Sequence, residues 1–241
     1  MIDKVRPGIP AGIAPKPPRR RHWWRLIAAG AAALVVLIVA AVGLFIKLQP
    51  TQPPLALPTA PASAPAGPLA GTWTAAAGSE AGFRVRESAL GFGNDVVGRT
   101  GAVTGTLTVS ADSVTRAAFT VGLTTIKVGG KVPAQLAASL DTRAYPTATF
   151  TLSEPVRLDP AFASGATITS TVAGLLSMHG SSHPVTATIS GRRDGHVLQL
   201  AGSIQVNFSV WDIAAPGGFG FLGSLAGHGV AEFSLSLLRA P

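Results

Sequence analysis

The most restrictive feature of this 241-residue chain is an alternation of apolar and polar side chains with a period of two, which begins near Gly71. Residues 198–210 give the clearest case, with Leu198, Leu200, Gly202, Ile204, Val206, Phe208 and Val210 on one face. Successive side chains of a β-strand point to opposite faces of the sheet. The segment therefore predicts one long half-buried strand, or two strands with a bend at Gly202.

Six shorter runs repeat this pattern, at residues 83–86, 103–109, 119–123, 147–152, 185–190 and 232–237. Between the runs, Asp194-Gly195 predicts a two-residue hairpin turn. Residues 132–140 are the one plausible helix, and the glycine-rich residues 211–229 predict a loop. Because no helices alternate regularly with the strands, the pattern predicts an all-β, antiparallel sandwich or barrel, and alternation alone leaves both open.

An uncharged apolar run of 21 residues, Leu26–Ile46, precedes the β-rich part. A helix of that length spans about 31 Å, which matches the hydrocarbon core of a bilayer. Seven Lys or Arg residues precede the run and only Lys47 directly follows it. By the positive-inside rule, we predict a cytoplasmic basic tail over 1–25 and a single transmembrane helix over 26–48, with the rest of the chain outside the cytoplasm. A cleaved signal peptide is the alternative.

The net charge of +8 is concentrated in the N-terminal segment. Residues 1–50 contain eight basic residues and one acidic residue, whereas residues 71–241 contain eleven and ten, so the two parts carry +7 and +1. The β-rich domain is therefore not predicted to bind nucleic acid. Seven prolines in residues 50–70 predict that 49–70 form an extended, disordered spacer, which would reach about 60 Å, before a domain over 71–241.

Four segments of the domain resemble the YceI-like family of lipid-binding domains. They are FRVRESALGFGNDVVGRTGAVTGTLTV at 83–109, YPTATFTLSEPVRL at 145–158, GLLSMHGSSHPVTATISG at 174–191 and IQVNFSVWDIAAP at 204–216. The resemblance implies an eight-stranded, lipocalin-like antiparallel barrel with one short helix. It also implies an elongated apolar tunnel that holds a polyisoprenoid or a similar long-chain lipid. Many family members have an Arg-Asp pair before the helix, whereas this chain has Lys127 and Lys131 there and no acidic residue.

If the barrel holds a lipid, the inward apolar residues are the candidate ligand contacts. We predict this role for Phe83, Phe119, Val121, Phe150, Leu152, Ile204, Val206, Phe208 and Trp211. His179 and His183 have a spacing seen in metal sites, but they lie in a turn and lack a third ligand, so local hydrogen bonds are the prediction for them. We predict neither a cofactor nor a metal.

No arrangement of residues in the sequence indicates catalysis, because it contains no nucleophile elbow, phosphate loop or paired-carboxylate motif. We therefore predict a binding protein rather than an enzyme. The leading hypothesis is a single-pass protein of the cell membrane whose outer domain holds a long-chain isoprenoid lipid. A stalked structural or interaction domain of the cell envelope, without a lipid ligand, is the alternative.

Overall fold

The computed structural model describes residues 52–59, 62–89, 92–214 and 223–240. Twelve β-strand segments form one antiparallel sheet among these residues. In chain order they are β1 Gly71–Ala75, β2 Glu80–Ala89, β3 Phe92–Thr100, β4 Val103–Ser110, β5 Ser113–Gly122, β6 Lys127–Val128, β7 Thr147–Leu152, β8 Val156–Arg157, β9 Ile168–Met178, β10 Ser181–Asp194, β11 Val197–Asn207 and β12 Gly223–Arg239.

The sheet closes into a barrel because the first and last strands pair with each other. The ring follows β1, β4, β5, β7, β9, β10, β11 and β12, and β12 returns to β1 through the pair Trp73–Arg239. The 17-residue β12 also pairs with β2, which continues through β3 to β6. The eight-stranded antiparallel barrel implied by the resemblance is thus confirmed, and the sandwich is excluded.

Antiparallel pairing sends successive connections to opposite ends of the barrel. One end, here called the helix end, contains the β2–β3 and β9–β10 turns and residues 129–146 between β6 and β7. The other end, here called the floor end, contains the β10–β11 hairpin at Gly195 and residues 153–167. Gly195 has φ +57°, which suits the turn that Asp194-Gly195 predicts.

Two short α-helices lie at the opposite ends of the barrel. Helix α1, Ala134–Ser139, follows Pro133 at the helix end, and it confirms the helix predicted near 132–140. Helix α2, Pro160–Ala163, lies at the floor end and was not predicted. Asp159 caps α2 by accepting a hydrogen bond from the Ala161 N–H at 2.8 Å, and Pro160 occupies the first turn, where its missing N–H costs little.

The floor end is filled by large apolar side chains. Trp73, Leu198 and Leu237 are fully buried there, and Phe162 of α2 packs against the same cluster. The Trp73 indole N–H donates to the carbonyl oxygen of Leu69 at 2.9 Å, so its one polar group is satisfied. This packing closes the barrel at the floor end.

The proline-rich residues 52–59 and 62–70, here called the strap, are extended and contain no strand or helix. They contact the outer face of the barrel and its floor end. The Leu55 N–H donates to Glu232, and the Ser63 N–H donates to Asp194 at 2.7 Å. Arg193 donates to the carbonyl oxygens of Ala66 and Gly67. The extended conformation predicted from the prolines is present in the described residues of the strap, and the barrel satisfies several of its backbone polar groups.

Two boundaries predicted from alternation need correction. The strand predicted over 198–210 ends at Asn207, because Phe208–Trp211 form a 3₁₀ turn. The Asn207 side chain caps this turn by accepting a hydrogen bond from the Ser209 N–H. Val210 consequently lies exposed instead of inside. The loop predicted over 211–229 is shorter than expected, since β12 already begins at Gly223.

The predicted basic tail 1–25 and transmembrane helix 26–48 lie outside the described residues. Within the described part of the chain, no helix has the length and apolar character needed to cross a membrane.

Candidate ligand-binding cavity

The barrel encloses a cavity of about 590 Å³ above its packed floor. This volume lies within the range of small-molecule sites in proteins, which is about 300–1,000 Å³. Its wall consists of inward-facing aliphatic and aromatic residues from most strands of the ring. Ala187 of β10 and Val172 of β9, for example, are register partners, are both buried, and both line the cavity.

The cavity reaches the surface at the helix end. Helix α1 contributes Gln135, Leu136 and Ser139 to the lining, and its C-cap residue Leu140 lines the cavity as well. Residues four apart share one face of a helix, so α1 presents the pairs 135/139 and 136/140 to the cavity. Because Gln135 is also exposed to solvent, the cavity is open beside α1. We call this opening the mouth.

Eight of the nine residues predicted to contact a ligand line the cavity. They are Phe83, Phe119, Val121, Phe150, Leu152, Ile204, Val206 and Phe208. The period-two alternation places them correctly, because inside and outside of a barrel wall alternate along each strand. Their contact with a ligand stays a prediction.

Trp211 is the exception, since it is buried but is not part of the cavity lining. Its indole packs edge-to-face on the ring of His183, with the ring centroids 5.1 Å apart, and its indole N–H points to the Leu176 carbonyl at 3.4 Å. Its own carbonyl oxygen accepts a hydrogen bond from His179 Nδ1 at 2.8 Å. Trp211 and the two histidines thus form a packed cluster at the helix end. No metal-binding group of three or more ligands occurs among the described residues.

Sequence reasoning missed several lining residues, of which Glu87 is the most informative. Glu87 continues the inward register of Phe83 and Val85 in β2, two positions beyond the last inward residue that we recognised. The α1 residues were also missed, although the spacing of Leu136 and Leu140 was a usable signal. The alternation over 185–190 places Ala187 on the apolar face, but it was not predicted as a ligand contact, because a small residue gives no clue to whether it borders a cavity or a packed core.

Five lining residues have polar side chains: Glu87, Gln135, Ser139, Ser170 and Glu232. Glu232 alternates with the core residues Phe233 and Leu235, so its side chain points to the outside of the barrel. There it pairs with Arg84 at 2.8 Å and with Arg99. Among the described residues, the interior therefore has one carboxylate, from Glu87, and three neutral polar side chains.

Gly82 allows the Arg99–Glu232 pair to form. Glu232, Gly82 and Arg99 form a cross-strand row on the outer face of β12, β2 and β3. A Cβ atom at Gly82 would lie 1.9 Å from the Gly98 carbonyl oxygen, so the close approach of these strands requires glycine. Burial by itself raises the pKa of Glu232, but hydrogen bonds from Arg84 and Leu55, together with the charges of both arginines, hold that pKa below its usual value.

Comparison with known proteins agrees with this architecture. Residues 73–231 match a family model described as the YceI-like domain. No curated protein matches the chain.

Solved structures that are similar to the barrel include the following two. The first is described as a polyisoprenoid binding domain from Saccharophagus degradans implicated in plant cell wall breakdown. Its sequence is 16% identical and its TM-score is 0.57, and the match covers 71% of this chain and 99% of that chain. The other, Burkholderia cenocepacia BcnA, is 18% identical with a TM-score of 0.47, covering 64% and 95%. At this identity the first similarity shows the fold alone.

Proposed function

Because the chain belongs to the YceI-like domain family, we propose that its barrel holds a long-chain lipid of the isoprenoid type in the cavity. The observation that carries this proposal is the cavity itself, which is large, lined almost entirely by apolar side chains, and open at the helix end. Burying a flexible hydrocarbon chain there removes apolar surface from water on both partners, which favours binding by about 25 cal/mol per Å². The description of the Saccharophagus degradans domain as polyisoprenoid binding supports the same ligand class.

The proposal includes a membrane anchor over residues 26–48, with the N-terminus in the cytoplasm and the barrel outside it. Its support is the uncharged apolar run Leu26–Ile46 and the seven basic residues before it. An anchored barrel outside the cytoplasm would hold, carry or sequester a lipid that is itself nearly insoluble in water.

The test is to purify the full chain from membranes in a mild detergent, confirm by intact mass that residues 1–50 are retained, and identify co-purifying lipid by native mass spectrometry. Ala187→Phe places a phenyl ring in the cavity and should remove most of the bound lipid. Thr186→Phe places the same ring on the exposed outer face of the same strand and should leave lipid binding unchanged.

Thermal unfolding midpoints of both variants confirm that the barrel remains folded. Wild-type protein that never carries a lipid, even after incubation with polyprenol, would contradict the binding proposal. So would a folded Ala187→Phe variant that carries as much lipid as Thr186→Phe. Loss of the first 50 residues from the membrane-bound protein would contradict the anchor alone.

A further inference from the structure

The charge of the cavity lining limits which polar head a bound lipid can have. No Lys, Arg or His side chain lines the cavity among the described residues, and Glu87 supplies its one inward carboxylate. The described lining of the cavity is therefore acidic or neutral.

A phosphate or diphosphate head needs cationic side chains or a group of free backbone N–H donors. The barrel wall offers few such donors, because the strands that line the cavity use their N–H groups in the ladders on both sides. In an apolar cavity an unpaired anion is costly, and a second negative charge from Glu87 adds repulsion that water screens poorly.

Glu87 is placed to accept a hydrogen bond from such a head. It lies near the helix end, where its register partners are Asn94 of β3 and Leu225 of β12. Its side chain is half-buried, and none of the ion pairs of the described residues involves it. Gln135 and Ser139 of α1 line the same cavity and add an amide and a hydroxyl group.

We infer that the mouth selects lipids whose head is an uncharged hydrogen-bond donor, such as an alcohol, phenol or amide, and discriminates against phosphorylated lipids, with Glu87 as the selective acceptor. This inference rests on the proposed function, since it concerns the head of the lipid whose chain occupies the cavity. An ammonium head, which donates and is positively charged, is accepted as well.

The test compares three probes that share one hydrocarbon chain: geranylgeraniol, geranylgeranyl amine and geranylgeranyl monophosphate. Each is titrated against the full chain in nanodiscs of zwitterionic phosphatidylcholine, and the bound fraction is read by native mass spectrometry. The dissociation constants of the alcohol and the amine should be lower than that of the monophosphate by a factor of about ten or more, because a like-charge contact is strongly unfavourable at low effective dielectric constant.

The Glu87→Gln variant keeps the shape of the side chain and removes its charge. The preference over the monophosphate should then fall to about threefold or less, because the repulsion is gone. Glu80→Gln is the matched control, since Glu80 is an exposed residue on the outer face of the same strand, and it should keep the wild-type order.

Three outcomes separate the inference from the proposed function. If the monophosphate binds wild type as tightly as the alcohol, the head-group inference is wrong and lipid binding stands. If Glu87→Gln retains the full preference, Glu87 is not the selective group and the inference is wrong. If no probe binds at all, lipid binding itself fails, and with it the inference.

Discussion

Replacing Glu232 by glutamine should destabilise the protein far more than a surface ion pair would suggest. Only 5% of the Glu232 side chain is exposed, and its partners Arg84 and Arg99 are 14% and 11% exposed. Removing one member of a buried ion pair costs about 3–5 kcal/mol, because the remaining charge stays buried without a counter-ion. Arg84 keeps Asp95 at 3.4 Å. The expected loss therefore lies near the lower limit, about 3 kcal/mol, and comes mainly from Arg99.

Asp112→Asn is the matched control. Asp112 and Arg157 form an ion pair of 2.9 Å with side chains 57% and 84% exposed. Water screens an ion pair this exposed, so this variant should stay close to wild type. The free energy of unfolding is measured by urea denaturation of the full chain in detergent, followed by tryptophan fluorescence.

A double variant separates the two possible causes of the loss. If the cost arises from an unpaired buried cation, Arg99→Met in the Glu232→Gln background should recover about 1 kcal/mol or more. If Glu232→Gln alone costs no more than Asp112→Asn, the argument from burial is refuted. If the double variant is less stable than the single one, the cost arises from packing instead.

The same carboxyl group makes stability depend on pH. The pKa of Glu232 is lowered in the folded protein from an ordinary value of 4.5, despite burial, by its hydrogen bonds to Arg84 and Leu55 and by the two arginine charges. The folded state therefore binds fewer protons than the unfolded state in this range. The contribution is complete above pH 4.5 and is lost as the pH falls through the lowered pKa. The stability difference between wild type and Glu232→Gln should narrow in that acidic window.

Two further predictions concern the floor end. Leu237→Ala removes a fully buried side chain and should lower the free energy of unfolding, measured by urea denaturation, by about 2–5 kcal/mol. Leu238→Ala, at the neighbouring position that is 48% exposed, should lower it by less than about 0.5 kcal/mol. Equal losses of stability would contradict the assignment of Leu237 to the packed floor. Arg193→Met removes the hydrogen bonds to the carbonyl oxygens of Ala66 and Gly67. Amide hydrogen exchange should then accelerate at residues 62–67. It should stay unchanged at residues 52–55, which are bound by Arg84, Arg99 and Glu232. Unchanged exchange in both segments would show that Arg193 does not hold the strap.

The wall of the barrel was predictable because one chemical division, apolar inside and polar outside, repeats along every strand. Phe150 and Leu152 illustrate this, since each was assigned to the interior from its neighbours alone and each lines the cavity. The prediction failed where the backbone stopped being extended. Val210 keeps the apolar character of the preceding strand, but the 3₁₀ turn that begins at Phe208 rotates it away from the interior.

Closure and the cavity could not be derived from alternation. Closure depends on the pairing of Trp73 with Arg239, which are separated by nearly the whole domain, and no local pattern encodes such a contact. An empty interior and a filled one require the same inward apolar residues. An empty and a filled interior differ in how closely the inward side chains, such as Ala187, approach the barrel axis. That distance is fixed only when the ring of strands is assembled.

Contact between the strap and the barrel could not be predicted from the sequence, although it is evident on the outer face of β3 in the structure. Val97 is buried although its neighbours Val96 and Gly98 face inward, so it lies on the outer face of β3. It is paired across the strands with Arg84, and Arg99 follows two residues later. Single apolar side chains on a protein surface are common, so Val97 alone predicts no covering segment. Its burial in the structure shows that one is present. The covering segment is the strap, whose Gln52 and Pro53 carbonyl oxygens accept hydrogen bonds from these two arginines. The strap is bound largely through its backbone, and Leu69 adds a side-chain contact with the floor cluster. A proline-rich composition by itself therefore does not predict the contact.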